Sequence, residues 1–98
     1  MASREIIWSA RAKFDQLKIL DFYYQINGTK TYSLKLYSNF KSAVKLIGKQ
    51  PEIGLKTDNV NVRNLIVGYF ALFYRINEQS IENIAIWDSR QDPENLKL

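Results

Sequence analysis

The sequence predicts an α+β domain in two layers: an N-terminal strand, a helical hairpin, then a three-stranded antiparallel meander. Three observations predict it. Residues 62–88 carry period-two apolar patterning in three short runs. Residues 10–47 instead carry apolar side chains three and four apart, which is helical spacing. Glycine, asparagine and proline fall between these segments, at Asn27-Gly28, Gly48, Pro51 and Gly68. With 98 residues, 46% apolar and 24% charged, the chain suits a single domain spanning 1–98, with 89–98 as a tail.

The first run, Glu5 to Trp8, reads as an edge strand that joins the later meander. Ser9 follows as the N-cap of a helix opening at Ala10, since its hydroxyl can accept an orphan backbone N–H. Phe14, Leu17, Leu20 and Tyr24 form a stripe that Ile19, Phe22, Tyr23 and Ile26 widen, so this helix is expected to be largely covered. Gly28 suits the left-handed position that ends it. Thr29 or Thr31 is expected to cap the second helix, whose Tyr32, Leu36, Phe40, Val44 and Ile47 share a face. Gly48 is expected to stop that helix and Pro51 to prevent its resuming. Gln50 to Asn61 reads as a polar loop.

The meander is the best-defined part. Val62 to Val67 is β-branched and aliphatic and ends at Gly68. In Phe70 to Ile76, residues Phe70, Leu72, Tyr74 and Ile76 point one way, and Ala71, Phe73 and Arg75 the other. Asn77 to Ser80 has hairpin length. On the last strand Ile84 and Ile86 are expected to share a face, opposite Ala85 and Trp87.

Composition excludes much chemistry. The chain has no cysteine, hence no disulfide and no thiolate metal site, and the cytosol is the default compartment. It also has no histidine, which removes the commonest general base and metal ligand. No stretch nears the about 18 consecutive apolar residues of a membrane span, and Met-Ala-Ser-Arg-Glu lacks the apolar region of a secretory signal. No cofactor or metal is expected. The net charge of +4 is unevenly spread: residues 30–75 sum to +6 and residues 76–98 to −3. That segregation points to an acidic or polyanionic partner for the middle of the chain. Lys41, Lys45 and Lys49, at i, i+4 and i+8, line up on one helix face, where mutual repulsion opposes helix formation. Arg63, Arg75 and Arg90 lie on or just after the strands and can clamp phosphate. Tyr69, Tyr74 and Trp87 can stack bases, although Tyr74 and Trp87 fit a core role better.

Several stretches together resemble the RelE/ParE superfamily of bacterial toxins. They are Trp8-Ser9, Pro51 with Gly54, Val62-Arg63-Asn64-Leu65, Leu72-Phe73-Tyr74-Arg75-Ile76, and Ile86-Trp87-Asp88-Ser89-Arg90-Gln91-Asp92-Pro93. The resemblance covers nearly the whole chain. It implies the growth-arresting toxin of a type II toxin–antitoxin module, neutralised by an antitoxin that wraps it. RelE-like members cut mRNA on the ribosome, and ParE-like members inhibit DNA gyrase.

Against the nuclease pattern, Arg63 and Arg90 match the arginines of the first meander strand and of the segment after the last strand. The arginine of the second strand falls on Phe70 or Ala71, and neither tyrosine nor histidine follows Arg90. The resemblance therefore points first to ParE-like gyrase inhibition, then to ribosome-dependent mRNA cleavage using Arg63 and Arg90, and third to an inactive antitoxin-binding module. Lys41, Lys45, Lys49, Lys56 and Arg75 are the expected target- or phosphate-binding residues. Phe73, Arg75 and Trp87, on a sheet face without an evident cover, are the expected antitoxin-binding residues. A homodimer, or a heterotetramer with the antitoxin, is the expected assembly.

Overall fold

The first strand hands the chain directly to a helix, and one serine makes that junction. In a computed structural model, which describes residues 4–90, β1 (Glu5–Trp8) is followed by Ser9 in an extended conformation at the N-cap of α1 (Ala10–Asn27). Ser9 Oγ accepts the Ala12 N–H at 3.0 Å and donates to the Ile84 carbonyl at 3.1 Å. Gly28, with φ of 70°, turns the chain at the end of α1 as expected.

Helix α2 (Thr31–Lys49) begins after a three-residue connection. Neither threonine caps it, because Lys30 occupies the N-cap in a helical conformation that has no side-chain cap bond. Gly48 does not stop the helix, which runs on to Lys49. A Cβ at Gly48 would meet Ile6 Cδ1 at 3.4 Å, an ordinary contact. Pro51 opens a 3₁₀ turn (Pro51–Ile53), and β2 (Leu55–Lys56) follows, so the expected polar loop contains a short edge strand. The meander comprises β3 (Val62–Val67), β4 (Phe70–Ile76) and β5 (Ser80–Asp88).

The five strands form one sheet in the order β1-β5-β4-β3-β2, antiparallel except for the parallel pair β1–β5. The expected two-layer α+β arrangement is the one observed. Pairing of β1 with β5 ends at Trp8 and Asn83. Past that point side chains of the α1 segment finish the edge: Ser9 holds the Ile84 carbonyl, and Asp15 Oδ2 accepts the Ile86 N–H at 3.0 Å.

A bulge corrects one expected facing. Phe73 lies opposite Ala85 and Tyr74 opposite Asn83, which leaves Ile84 as an extra residue on β5. Ile84 and Ile86 therefore fall on different sides. Ile86 joins the principal core, formed by Leu36, Phe40, Val44 and Ile47 of α2 against Phe70, Leu72, Tyr74 and Ile81. Ile84 packs with Trp87 beside the second cluster, Val62, Ala71, Phe73 and Ala85, on the opposite face. Phe73 is only 7% exposed, so the expectation that it lacks cover within the chain does not hold.

Helix α1 also departs from expectation. Of its apolar residues only Ala12 is fully buried, with Ile19, Leu20 and Tyr23 resting against the core. Phe14, Leu17, Phe22 and Ile26 are all more than half exposed. Among the described residues no helix is long and apolar enough to cross a membrane.

Candidate functional site

The 3₁₀ turn and β2 are fastened to the meander by two side chains. Tyr74, buried on β4, donates its hydroxyl to the Pro51 carbonyl at 2.6 Å and accepts the Gly54 N–H at 2.9 Å. Burial pushes its phenol above the ordinary value of 10.0, with the Gly54 N–H and the Arg63 charge opposing. Arg63, facing Tyr74 across β3 and β4, donates from Nη1 to the Glu52 and Gly54 carbonyls at 3.0 and 2.9 Å. Its guanidinium is thus engaged in closing the turn. Lys56 lies opposite Arg63 on β2.

Arg90 sits at the other end of the meander. Asp88, in register with Phe70, grips it with both oxygens: Nε donates to Oδ1 at 2.9 Å and Nη2 to Oδ2 at 2.8 Å. Nη2 also donates to the Tyr23 hydroxyl. The guanidinium lies 4.6 Å from the Tyr69 ring centre and 6.0 Å from those of Tyr23 and Phe70. These hydrogen bonds hold the Asp88 carboxyl below its ordinary value and push the Arg90 guanidinium further up. Arg63 is opposite Tyr74, whereas Arg90 lies beyond the residue opposite Phe70. Four residues along β4 span about 13 Å, so the structure does not bring the two arginines together.

The lysine row behaves differently. Lys41, Lys45 and Lys49 border a groove of about 850 Å³ between the first half of α1, the later turns of α2 and β1. Arg4 and Lys13 border the same groove, giving five cations and no carboxylate. Between them lie the apolar side chains of Ile6, Trp8, Leu17, Tyr37 and Val44. The Lys41 ammonium stands 5.7 Å from the Tyr37 ring centre. None of the five cations forms an ion pair among the described residues. Sequence reasoning found the three lysines but missed Arg4, Lys13, Trp8 and Tyr37, because no spacing within α2 reveals what β1 and α1 place beside it.

The expected antitoxin-binding residues lie elsewhere. Arg75, on the face opposite the helices, approaches Glu82 at 4.0 Å, Phe73 is buried beside it, and Trp87 is half-buried. A second groove, of about 530 Å³, runs between α1 and the end of β5, where Phe22, Tyr23, Ile26 and Trp87 meet Arg90. Tyr74 is fully buried, as its core role required, while Tyr69 is 58% exposed under Arg90. Among the described residues no three acidic side chains gather where a metal could be held.

A small two-layer domain with a row of cations that form no ion pair among the described residues, and with exposed apolar helix faces, is equipped to grip another macromolecule. Residues 6–93 match the family model of the ParE toxin of the type II toxin–antitoxin system parDE, and the chain belongs to that family. It is therefore the toxin component of such a system. The fold is similar to that in the chromosomal ParDE system from P. aeruginosa, with a TM-score of 0.73 and 22% identity over 86% of this chain and 94% of that one. It is also similar to a chain of the E. coli DinJ–YafQ toxin–antitoxin complex, with a TM-score of 0.60 and 13% identity over 91% and 96% of the two chains. No curated protein sequence matches it significantly.

Proposed function

We propose that this ParE-family toxin arrests growth by inhibiting DNA gyrase and does not cut RNA. One observation carries the proposal: the two arginines that fit the nuclease pattern are each engaged within the domain and stand at separate places on the sheet. Cleaving RNA needs a base for the 2′-hydroxyl, cationic support for the phosphorane and an acid for the leaving oxygen. Arginine stays protonated and can supply only the cation. The Tyr74 hydroxyl, close to Arg63 in the fold, is buried and already bonded on both sides. Inhibiting an enzyme by binding asks only for a complementary surface, which the row of Lys41, Lys45 and Lys49 offers; Lys56, at the far edge of the sheet, and Arg75, on the face opposite the helices, lie apart from it.

Induced expression without the antitoxin is expected to stop growth. Primer extension on ribosome-associated mRNA should then show no codon-phased cuts. Cuts that disappear in Arg63→Ala and Arg90→Ala would establish the nuclease reading instead. Unimpaired growth with soluble protein would favour an inactive antitoxin-binding module.

A further inference from the structure

The geometry points to a second copy of this chain as the occupant of the outer face of α1, paired antiparallel across a two-fold axis. Phe14, Lys18, Phe22 and Ile26 recur every four residues and so form one ridge along the helix. Phe14 is 60% exposed, Phe22 55% and Ile26 62%. Among the described residues these three join neither core cluster. The inference is independent of the target on which the toxin acts.

Area is the first argument. A large buried aromatic side chain removes about 150–250 Å² from water. Exposures above one half therefore leave roughly 300 Å² on the three residues together. That is more than half of the about 500 Å² per partner at the lower end of specific interfaces. The methylene stem of Lys18 adds to it.

A second copy suits the ridge because the ridge is complementary to itself. Antiparallel pairing can be centred on Lys18, on Phe22 or between them. Centring on Lys18 opposes two lysines and leaves Ile26 without a counterpart. Centring on Phe22 sets Phe14 opposite Lys30, which lies beyond the end of α1. Centring between them sets Lys18 against the partner's Phe22 and Phe14 against the partner's Ile26, each contact occurring twice. Of the three, this register alone uses all four positions and opposes no like charges. The Lys18 ammonium already stands 5.4 Å from the Phe14 ring centre, so pairing places it between two rings.

The fold also supplies a socket. Phe22 and Ile26 line the groove of about 530 Å³ between α1 and the end of β5, together with Tyr23 and Trp87. Phe14 does not line it in its own chain, and the pairing brings Phe14 to the partner's Ile26 at the groove wall. Lys18 and Arg90 are matched there by Asp15 and Asp88, so this face does not select an acidic partner as the lysine groove does. Lys13, Gln16 and Leu17, on the other flank of α1, border the lysine groove, and the two grooves share no residue. A paired toxin thus keeps both lysine rows uncovered.

The test is sedimentation velocity on the toxin freed of its antitoxin, over a series of concentrations. A reversible monomer–dimer equilibrium is expected, in the micromolar range for an interface of this size. Phe14→Ala and Ile26→Ala should each weaken it at least about tenfold. Phe14→Ala/Ile26→Ala should weaken it little further, because the two residues touch only across the pair. Within one chain they lie about 18 Å apart along the helix, where losses would simply add. Leu34→Ala, at a residue equally exposed on α2, should dimerise as the parent does. Circular dichroism checks that every variant is folded.

A parent that is monomeric at every concentration overturns the inference. So does a dimer whose losses add in the double variant, since Phe14 and Ile26 then make separate contacts. A dimer dispersed by Leu17→Ser/Tyr37→Ser, but not by Phe14→Ala, places the pairing in the lysine groove and overturns it too. If the toxin stays monomeric and the purified antitoxin binds Phe22→Ala/Ile26→Ala at least about tenfold more weakly, the antitoxin covers the ridge and the inference falls.

Discussion

Tyr74 shows how much one hydroxyl can hold. It bonds to Pro51 and Gly54, which ties the 3₁₀ turn and the start of β2 to the middle of the sheet. Gly54 is required by that closeness, because a Cβ there would lie 2.6 Å from the Tyr74 oxygen. Tyr74→Phe leaves the Gly54 N–H without its acceptor, and urea unfolding is expected to show a loss of about 1–3 kcal/mol. Arg90 is tied by its neighbour. Because Arg90 lowers the folded-state Asp88 pKa, the stability this pair adds is present above the ordinary Asp value of 3.8 and fades as pH falls through the folded value. In Arg90→Ala, carbon NMR should find the Asp88 carboxyl shifted back up towards that value, and the stability gap from the parent should close in acid. The sequence marked both arginines as candidates. It also placed Asp88 within two residues of Arg90, the pair the structure shows, whereas Glu52, Gly54 and Tyr23 reach the arginines only through the packing of separate elements.

Among the elements, legibility followed periodicity. The meander strands and the buried face of α2 were readable because one environment acts on each strand or helix face over several turns. The two-residue β2 has no length in which a period can show. The bulge at Ile84 breaks alternation without any residue in the sequence announcing it. For α1 the apolar stripe is real, but only part of it faces the chain's own core. An apolar face records that something covers it, and here the chain's own core covers only the part around Ala12, Ile19, Leu20 and Tyr23. Ser9 was read correctly as the cap, and the structure adds its bond to β5. Ser9→Ala is therefore expected to cost about 1–2 kcal/mol in thermal unfolding, with hydrogen exchange accelerated first at the start of α1 and around Ile84.

Across the whole molecule, the uneven charge read from the sequence becomes a surface. The middle segment's excess of +6 reaches the groove through Lys41, Lys45 and Lys49, and the N-terminal part of the chain adds Arg4 and Lys13. The side chains of Arg63 and Arg90 turn to other work, in the turn after α2 and at the end of β5. This division, lysines without ion pairs on the helices and arginines bonded within the turn and at the end of the sheet, is what supports the proposal of a non-nucleolytic toxin. The direct measurement is a supercoiling assay with purified gyrase, relaxed plasmid and the toxin freed of its antitoxin. The account predicts dose-dependent loss of supercoiling, reversed by adding the antitoxin and weakened in Lys41→Glu/Lys45→Glu. Full supercoiling at toxin concentrations far above those that stop growth would contradict it.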